Sequence, residues 1–266
     1  MKKEAEKDSI SNILGINFDG SGNQRIKEKA AAALNGVSGK RIFTPNVEIL
    51  HRCHISDELR SLINSADIVI PDGAGVILAS KLLRGSLTER FAGIDMGEYL
   101  LSLADESSLR VFLLGGEEGV AKRAATRLSE KYPNVIFCGT HHGFFEKNGE
   151  ENDAVVNEIN RALPHILFVC LGFPCQEKWI NENYRRIPSL RLTIGLGGSL
   201  NVWSGRIRRA PKIFRQIYLE WLWRILQQPQ KISFFLTLPS FLFTVIKERQ
   251  RILHPSHSKP PIAPKG

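Results

Sequence analysis

One carboxylate, Asp72, stands directly after an apolar run in "IVIPDGAGV" (residues 68–76), and two glycines follow it within three residues. Two roles fit such a group. Asp-Gly after a strand makes a turn. A carboxylate at the binding edge of a sheet can instead take a proton from a hydroxyl as a general base. The residues alone leave both roles open. Other reactive groups are sparse. "LGGEEGVAKRAA" places Gly115, Gly116 and Gly119 after a second apolar run. This spacing departs from G-x-G-x-x-G, and no acidic residue ends a following strand about 20 residues on. The stretch reads as a strand-to-helix turn or as a nucleotide contact, with a dinucleotide site the weakest of the three. "HRCH" (residues 51–54) carries metal-capable groups, but a closed zinc site needs three or four convergent ligands and no second pair has matching spacing. His141 and His142 are neighbours whose side chains diverge, which fits a structural pair or a substrate-contact loop. Cys170 and Cys175 form neither a redox CxxC nor a zinc knuckle. No G-x-S-x-G elbow or P-loop occurs.

The elements that must position these groups follow from hydrophobic patterning. Runs of Val, Ile, Leu and Phe at 41–46, 67–73, 110–116, 135–145, 165–174 and 190–198 predict strands. Helical spacing lies between them at 47–66, 74–85, 117–133, 152–163 and 175–184. Continuous apolar strands separated by helices predict an α/β fold: a mostly parallel, Rossmann-like sheet covered by helices on both faces. Ligands in such folds bind outside the C-terminal ends of the strands. Those ends here read "TPN", "PDG", "LGGEEG", "LGFPCQE" and "GLGGS". Glycines let backbone N–H groups approach a phosphate, and a following helix N-terminus favours its charge. Gly115, Gly116 and Glu117 are therefore one candidate phosphate contact. Gly197, Gly198 and Ser199 are a second.

Charge separates the chain into two parts. The 266 residues are 42% hydrophobic, which suits one core with an appendage and excludes a disordered chain. Net charge is +9, yet residues 203–266 hold 12 Lys+Arg against 2 Asp+Glu, so the excess lies wholly at the C-terminal end. An anionic partner is expected there. Residues 211–228 have the period of an amphipathic helix. Residues 232–246 form an apolar segment interrupted by Pro239, too short to span a bilayer and suited to an interfacial anchor. This surface is too apolar to meet phosphate alone, so a membrane is expected first, packing into an ordinary core second and nucleic acid last. An apolar appendage without a membrane is also expected to self-associate. The expected organisation is a core at 1–204, a basic membrane-associating helical appendage at 205–250 and a disordered tail at 251–266. Four scattered cysteines make no disulfide framework, and "MKKEAEKDSISN" has no apolar leader region, so a reducing cytoplasm is expected.

Taken in order, "TPNVEIL", "ADIVIPDGAGVILASKLL", "ERFAGIDM", "VFLLGGEEGVA", "GTHHGFF", "LGFPCQEKWI", "GLGGSLNVWSG" and "RAPKIFRQIYLEWLWRILQQP" resemble the signature blocks of the WecG/TagA/CpsF glycosyltransferases. The resemblance runs from about residue 13 to residue 230. It implies transfer of a sugar from a UDP-sugar to a polyprenyl-diphosphate-linked saccharide, peripherally at the inner face of the bacterial cytoplasmic membrane. It implies no metal and no other cofactor, a catalytic aspartate at Asp72, and functional residues at Thr44, Asn46, Arg90 and Gln176. It also implies a basic C-terminal appendage that binds membrane and covers the site. One departure is Asn201, where many members carry Asp.

On that basis Asp72 is expected to act as base, and Thr44, Asn46 and Gln176 to position a sugar. Arg90 is expected to meet charge developing on the leaving diphosphate. Arg208, Arg209 and Arg224 are candidates for holding the lipid diphosphate. Gly73 and Gly75 are expected to leave room for the sugar. A single displacement predicts inversion. The donor is left among N-acetylmannosamine, its uronic acid and glucose. A basic membrane or nucleic-acid adaptor and a nicotinamide-dependent oxidoreductase stand as alternatives.

Overall fold

A computed structural model describes residues 10–36, 39–216, 220–227 and 233–253; the side chains at 215, 216, 221, 224, 225 and 233–236 lie outside that description. The chain starts with a two-stranded antiparallel hairpin, β1 (Ile10–Ile13) and β2 (Ile16–Asp19). Six strands then form the main sheet: β3 (Lys40–Phe43), β4 (Ile68–Val69), β5 (Arg110–Gly115), β6 (Ile136–His141), β7 (Ile166–Cys170) and β8 (Leu192–Gly195). Their order is β4-β3-β8-β7-β5-β6, and every pairing is parallel. The expected parallel α/β sheet is what forms.

Two cores explain the continuous apolar runs. Successive strand residues face opposite sides. Val111 and Leu113 pack in one core with Ile166, Phe168, Leu192 and Ile194. Phe112 and Leu114 pack in the other with Leu167 and Val169. The first core is closed by α1 (Asn23–Asn35), α5 (Gly93–Glu106), α6 (Val120–Lys131) and α9 (Ser199–Trp203). The second is closed by α2 (Val47–Ile55), α3 (Asp57–Asn64), α4 (Ala74–Leu82), α7 (Gly149–Ala162) and α8 (Cys175–Asn183). A strand inside such a sheet shows neither face to water, so it is mostly apolar, and the buried Thr193 of β8 donates its hydroxyl to Leu167 O at 3.2 Å.

Local chemistry corrects some predicted boundaries. The single helix expected at 47–66 breaks at Ser56, whose backbone is extended and whose hydroxyl accepts from Leu59 N–H, capping α3. A side-chain cap competes with helix continuation, and here it wins. The helix expected at 211–228 appears as α10 (Lys212–Gln216) and α11 (Glu220–Gln227), with 217–219 outside the described residues.

The C-terminal segment departs furthest. One helix, α12 (Ser233–Leu253), continues through Pro239 and extends three residues into the expected tail. Phe241 and Val245 are buried in the second core, and α12 packs against α2 and α4. Burying two such side chains contributes roughly 2 kcal/mol each, enough to seat the helix on the protein. Phe243, Ile246 and Ile252 of the same helix stay exposed. No helix among the described residues is long and apolar enough to cross a membrane.

Candidate active site

A pocket of about 290 Å³ opens outside the C-terminal ends of β3, β4, β7 and β8. Its walls come from distant segments. β3 delivers Thr44 and Asn46, β4 delivers Asp72, β7 leads to Phe173 and Gln176, and β8 leads to Gly197, Gly198 and Ser199. Arg208, Arg209, Glu220, Trp223 and Gln227 close it from the C-terminal side.

Asp72 lies one residue before the glycine that opens α4 and is only partly buried. Its Oδ2 accepts from Gly93 N–H at 3.2 Å. Gly93 is the first residue of α5, and the residue preceding it, Ala92, supplies no side-chain cap. A carboxylate from another strand end therefore satisfies that terminus, where negative charge is favoured. The Asp-Gly turn is present, and it carries Asp72 into the pocket wall. The two glycines beside it differ. A Cβ at Gly73 would meet nothing within 4 Å, whereas one at Gly75 would strike Val47 Cγ2 at 2.3 Å. Gly75 thus serves the packing of α4 on α2, which corrects its expected part in making room for a ligand.

The polar neighbours are partly committed to the fold. Thr44 Oγ1 donates to the Gly195 carbonyl at 3.2 Å and ties β3 to β8. Asn46 caps α2, its Oδ1 accepting from Ile49 N–H at 3.1 Å, while the residue lines the pocket. Gln176 is buried. Its Nε2 donates to Glu177 Oε1 at 2.8 Å and its Oε1 accepts from Gly197 N–H at 2.9 Å. Gln176 holds the glycine turn that lines the pocket. Ser199 is buried and donates to Leu196 O at 2.8 Å.

The arginines divide. Arg90 does not line the pocket; it makes a two-pronged ion pair with Glu220, which does, at 3.2 and 3.3 Å. Arg209 lines the pocket but is paired with Asp95 and Glu98 on α5, tying the C-terminal segment to the core. Arg208 lines the pocket with an exposed side chain, and its backbone is clamped at both ends by the Gln227 amide. Arg224 belongs to α11, but its side chain lies outside the described residues.

The other glycine-bearing strand end is not part of this pocket. Gly115 has φ 132°, and a Cβ there would strike the Cys170 carbonyl oxygen at 2.4 Å. Glu117 is exposed and pairs with Arg206 at 2.5 Å; that guanidinium holds its carboxyl below the usual range. Gly115, Gly116 and Glu117 therefore do not share a wall with Asp72. Asn201 is also absent from the pocket wall; its backbone carbonyl accepts from Ile207 N–H at 2.9 Å.

Sequence reasoning missed Glu48, Phe173, Glu220, Trp223 and Gln227 as wall residues. Trp223 falls off the apolar face that the period of 211–228 marks, so periodicity gave no signal for it; its Nε1 donates to Arg208 O at 3.1 Å. It also missed Glu177, which is buried and whose carboxyl is pushed up to about 7, chiefly by burial and against the Gln176 hydrogen bond.

A parallel α/β sheet thus brings a carboxylate, a glycine turn and an arginine to one strand-end pocket. The chain belongs to the glycosyl transferase WecG/TagA/CpsF family, whose model matches residues 11–254. It is 35% identical over 212 residues to an N-acetylglucosaminyldiphosphoundecaprenol N-acetyl-beta-D-mannosaminyltransferase of Bacillus subtilis (strain 168), covering 80% of this chain and 81% of that one. It is 34% identical over 242 residues to the protein of the same name from Staphylococcus aureus (strain MRSA252), covering 90% and 93%.

Proposed function

We propose that the chain transfers an N-acetylmannosamine-like sugar from a UDP-sugar to a polyprenyl-diphosphate-linked saccharide in the building of bacterial cell-surface polysaccharide. The observation that carries this reading is the convergence of Asp72, Thr44, Asn46 and the Gln176-held Gly197–Gly198 turn on one pocket from four separate strand ends. The names of the two relatives support the acceptor and the sugar.

In the reaction Asp72 takes the proton of the acceptor hydroxyl as its oxygen attacks the anomeric carbon. The bond from that carbon to the UDP oxygen breaks, UDP leaves with the bonding pair, and the configuration inverts. Asn46 orients the sugar through its NH2 group, and Thr44 shapes the floor beside it. Arg208 meets phosphate charge directly. Arg90 does so once the diphosphate replaces Glu220 as its partner. Arginine charge takes the place of a metal. The test is transfer from a panel of labelled UDP-sugars to a short prenyl-diphosphate N-acetylglucosamine, with and without EDTA. Transfer from UDP-N-acetylmannosamine unaffected by EDTA is the expected result. Its absence across the panel removes the reading, and loss on adding EDTA removes the metal-free step.

The enzyme works at the inner face of the cytoplasmic membrane, held there by the basic C-terminal segment. Exposed Phe243, Ile246 and Ile252 on α12 support this, because apolar and basic residues on one helix suit an anionic interface. The same surface supports self-association away from lipid. Replacing Phe243 and Ile246 with Asp should abolish sedimentation with anionic liposomes; undiminished sedimentation would reject this anchoring face.

A further inference from the structure

Glu177 is 1% exposed and stands one step behind the pocket wall. Its Oε1 accepts from Gln176 Nε2 at 2.8 Å, and its Oε2 has no hydrogen-bond partner among the described residues. A buried polar atom without a partner costs stability, so a purely structural role is poorly served by a carboxyl here. Gln176 passes the contact on, since its Oε1 accepts from Gly197 N–H at 2.9 Å. A side-chain amide has a donor end and an acceptor end. Because Glu177 Oε1 takes the donor end, the acceptor end faces Gly197. The carboxyl thereby decides which way the amide points and how firmly the glycine turn is held.

We propose that Glu177 is a proton-linked positioning residue for the diphosphate of the donor: through Gln176 it sets the Gly197–Gly198 turn, and losing its proton weakens donor binding. This assignment rests on the reading of the pocket as a UDP-sugar site. Two effects of ionisation act in the same direction. A charged carboxylate strengthens the hydrogen-bond chain and draws the Gly197 N–H further from any ligand. It also places a buried negative charge behind an anion site, where the low dielectric leaves repulsion poorly screened. Burial holds the carboxyl at about 7, so the change falls near neutral pH.

Few other ionisable groups reach Glu177. On α2, Arg52 favours its charged form and Cys53 is itself pushed up to about 12 by burial and by the Glu177 charge. Arg52 stacks over Phe173, 4.7 Å from the ring centroid. On α3, Asp57 and Glu58 are taken by Arg60 and by Lys178 of α8. Arg186, in the turn after α8, is taken by Asp153 and Asn183, and Arg185 by the Tyr184 hydroxyl. On β7, Cys170 belongs to the opposite core.

Calorimetric titration of the full chain with UDP-N-acetylmannosamine tests the assignment, because that diphosphate diester does not titrate near neutrality. The Kd of the unmodified protein should rise about tenfold between pH 6 and pH 8.5, the size of a one-unit coupling. Binding near pH 7 should take up protons, read from two buffers of different ionisation heat. Glu177→Gln keeps an acceptor and the volume, and its Kd should no longer depend on pH. A pH-independent Kd in the unmodified protein, or an unchanged slope in Glu177→Gln, would overturn the assignment alone. Absence of donor binding at every pH would overturn the donor-site reading and this assignment with it. If Glu177→Gln does not fold, Arg52→Gln decides: losing that charge should move the midpoint of the pH dependence upward, and an unmoved midpoint rejects the coupling.

Discussion

The ends of β5 and β8 each carry a glycine pair, Gly115–Gly116 and Gly197–Gly198, and as sequence they are interchangeable. In the fold they are opposites. At β5 the absent side chain makes room for protein: a Cβ at Gly115 would enter the Cys170 carbonyl, and Gly143 N–H donates to Gly116 O at 2.7 Å. At β8 the absent side chain makes room for something else: a Cβ at Gly197 or Gly198 would meet no atom within 4 Å, and both residues line the pocket. A glycine at a strand end therefore marks a place where backbone must come close to a neighbour, without saying whether the neighbour is the protein or its ligand.

The strongest way to break this contrast is to move the chemistry across it. Asp72→Asn, on the β8 side, keeps an oxygen for Gly93 N–H, so it should melt near the unmodified temperature and lose about 100-fold or more in kcat. Glu117→Gln, on the β5 side, should change kcat less than about twofold, since an exposed ion pair contributes little. Steady-state transfer assays on both variants decide; equal losses would erase the distinction.

Substituting the glycines themselves should give the next largest effect, and in opposite observables. Gly198→Val adds bulk to open space at φ −84°, so stability should hold while the donor Kd rises about tenfold. Gly115→Ala puts a side chain at φ 132° and against the Cys170 carbonyl, so unfolding free energy should fall by about 2–4 kcal/mol while the donor Kd holds. Denaturant melts paired with calorimetry would reject the contrast if the two variants fail alike.

The smallest effect concerns what stands behind the β8 turn. Folded Glu177 keeps its proton up to about pH 7, whereas the unfolded group releases it near its ordinary 4.5. Between those values the native state binds more protons, so stability must fall as pH rises from about 4.5 to about 7 and then level off. Glu177→Gln should remove that decline. Its stability relative to the unmodified protein should be greater at pH 8 than at pH 5, and an equal difference at both would show that the carboxyl does not titrate in this window.

Much of this arrangement was legible before the fold was known. The apolar runs announced a parallel sheet because a strand buried on both faces holds few polar residues, each needing a partner as Thr193 has in Leu167 O. Strand-end motifs placed Thr44, Asn46, Asp72, Gln176 and Gly197 on the correct edge because parallel strands all end on the same side. Other elements were illegible. The β1–β2 hairpin and helices α1 and α5 gave no reading, and Pro239 was taken as an interruption. In α12 the packing of Phe241 and Val245 on α2 and α4 outweighs that local signal.

By itself, the sequence determined what period and residue type can encode: the alternation of strands and helices, the edge of the sheet where the pocket opens, and the concentration of positive charge after residue 203. Tertiary structure decided partners. It chose Gly93, 21 positions away, to hold Asp72. It gave Arg209 to Asp95 and Glu98 while leaving Arg208 exposed at the pocket. It left Gly198 open, closed Gly115, and buried Glu177 behind Gln176. Periodicity is a property of neighbours along the chain, whereas hydrogen bonds, desolvation and steric contact are properties of neighbours in space.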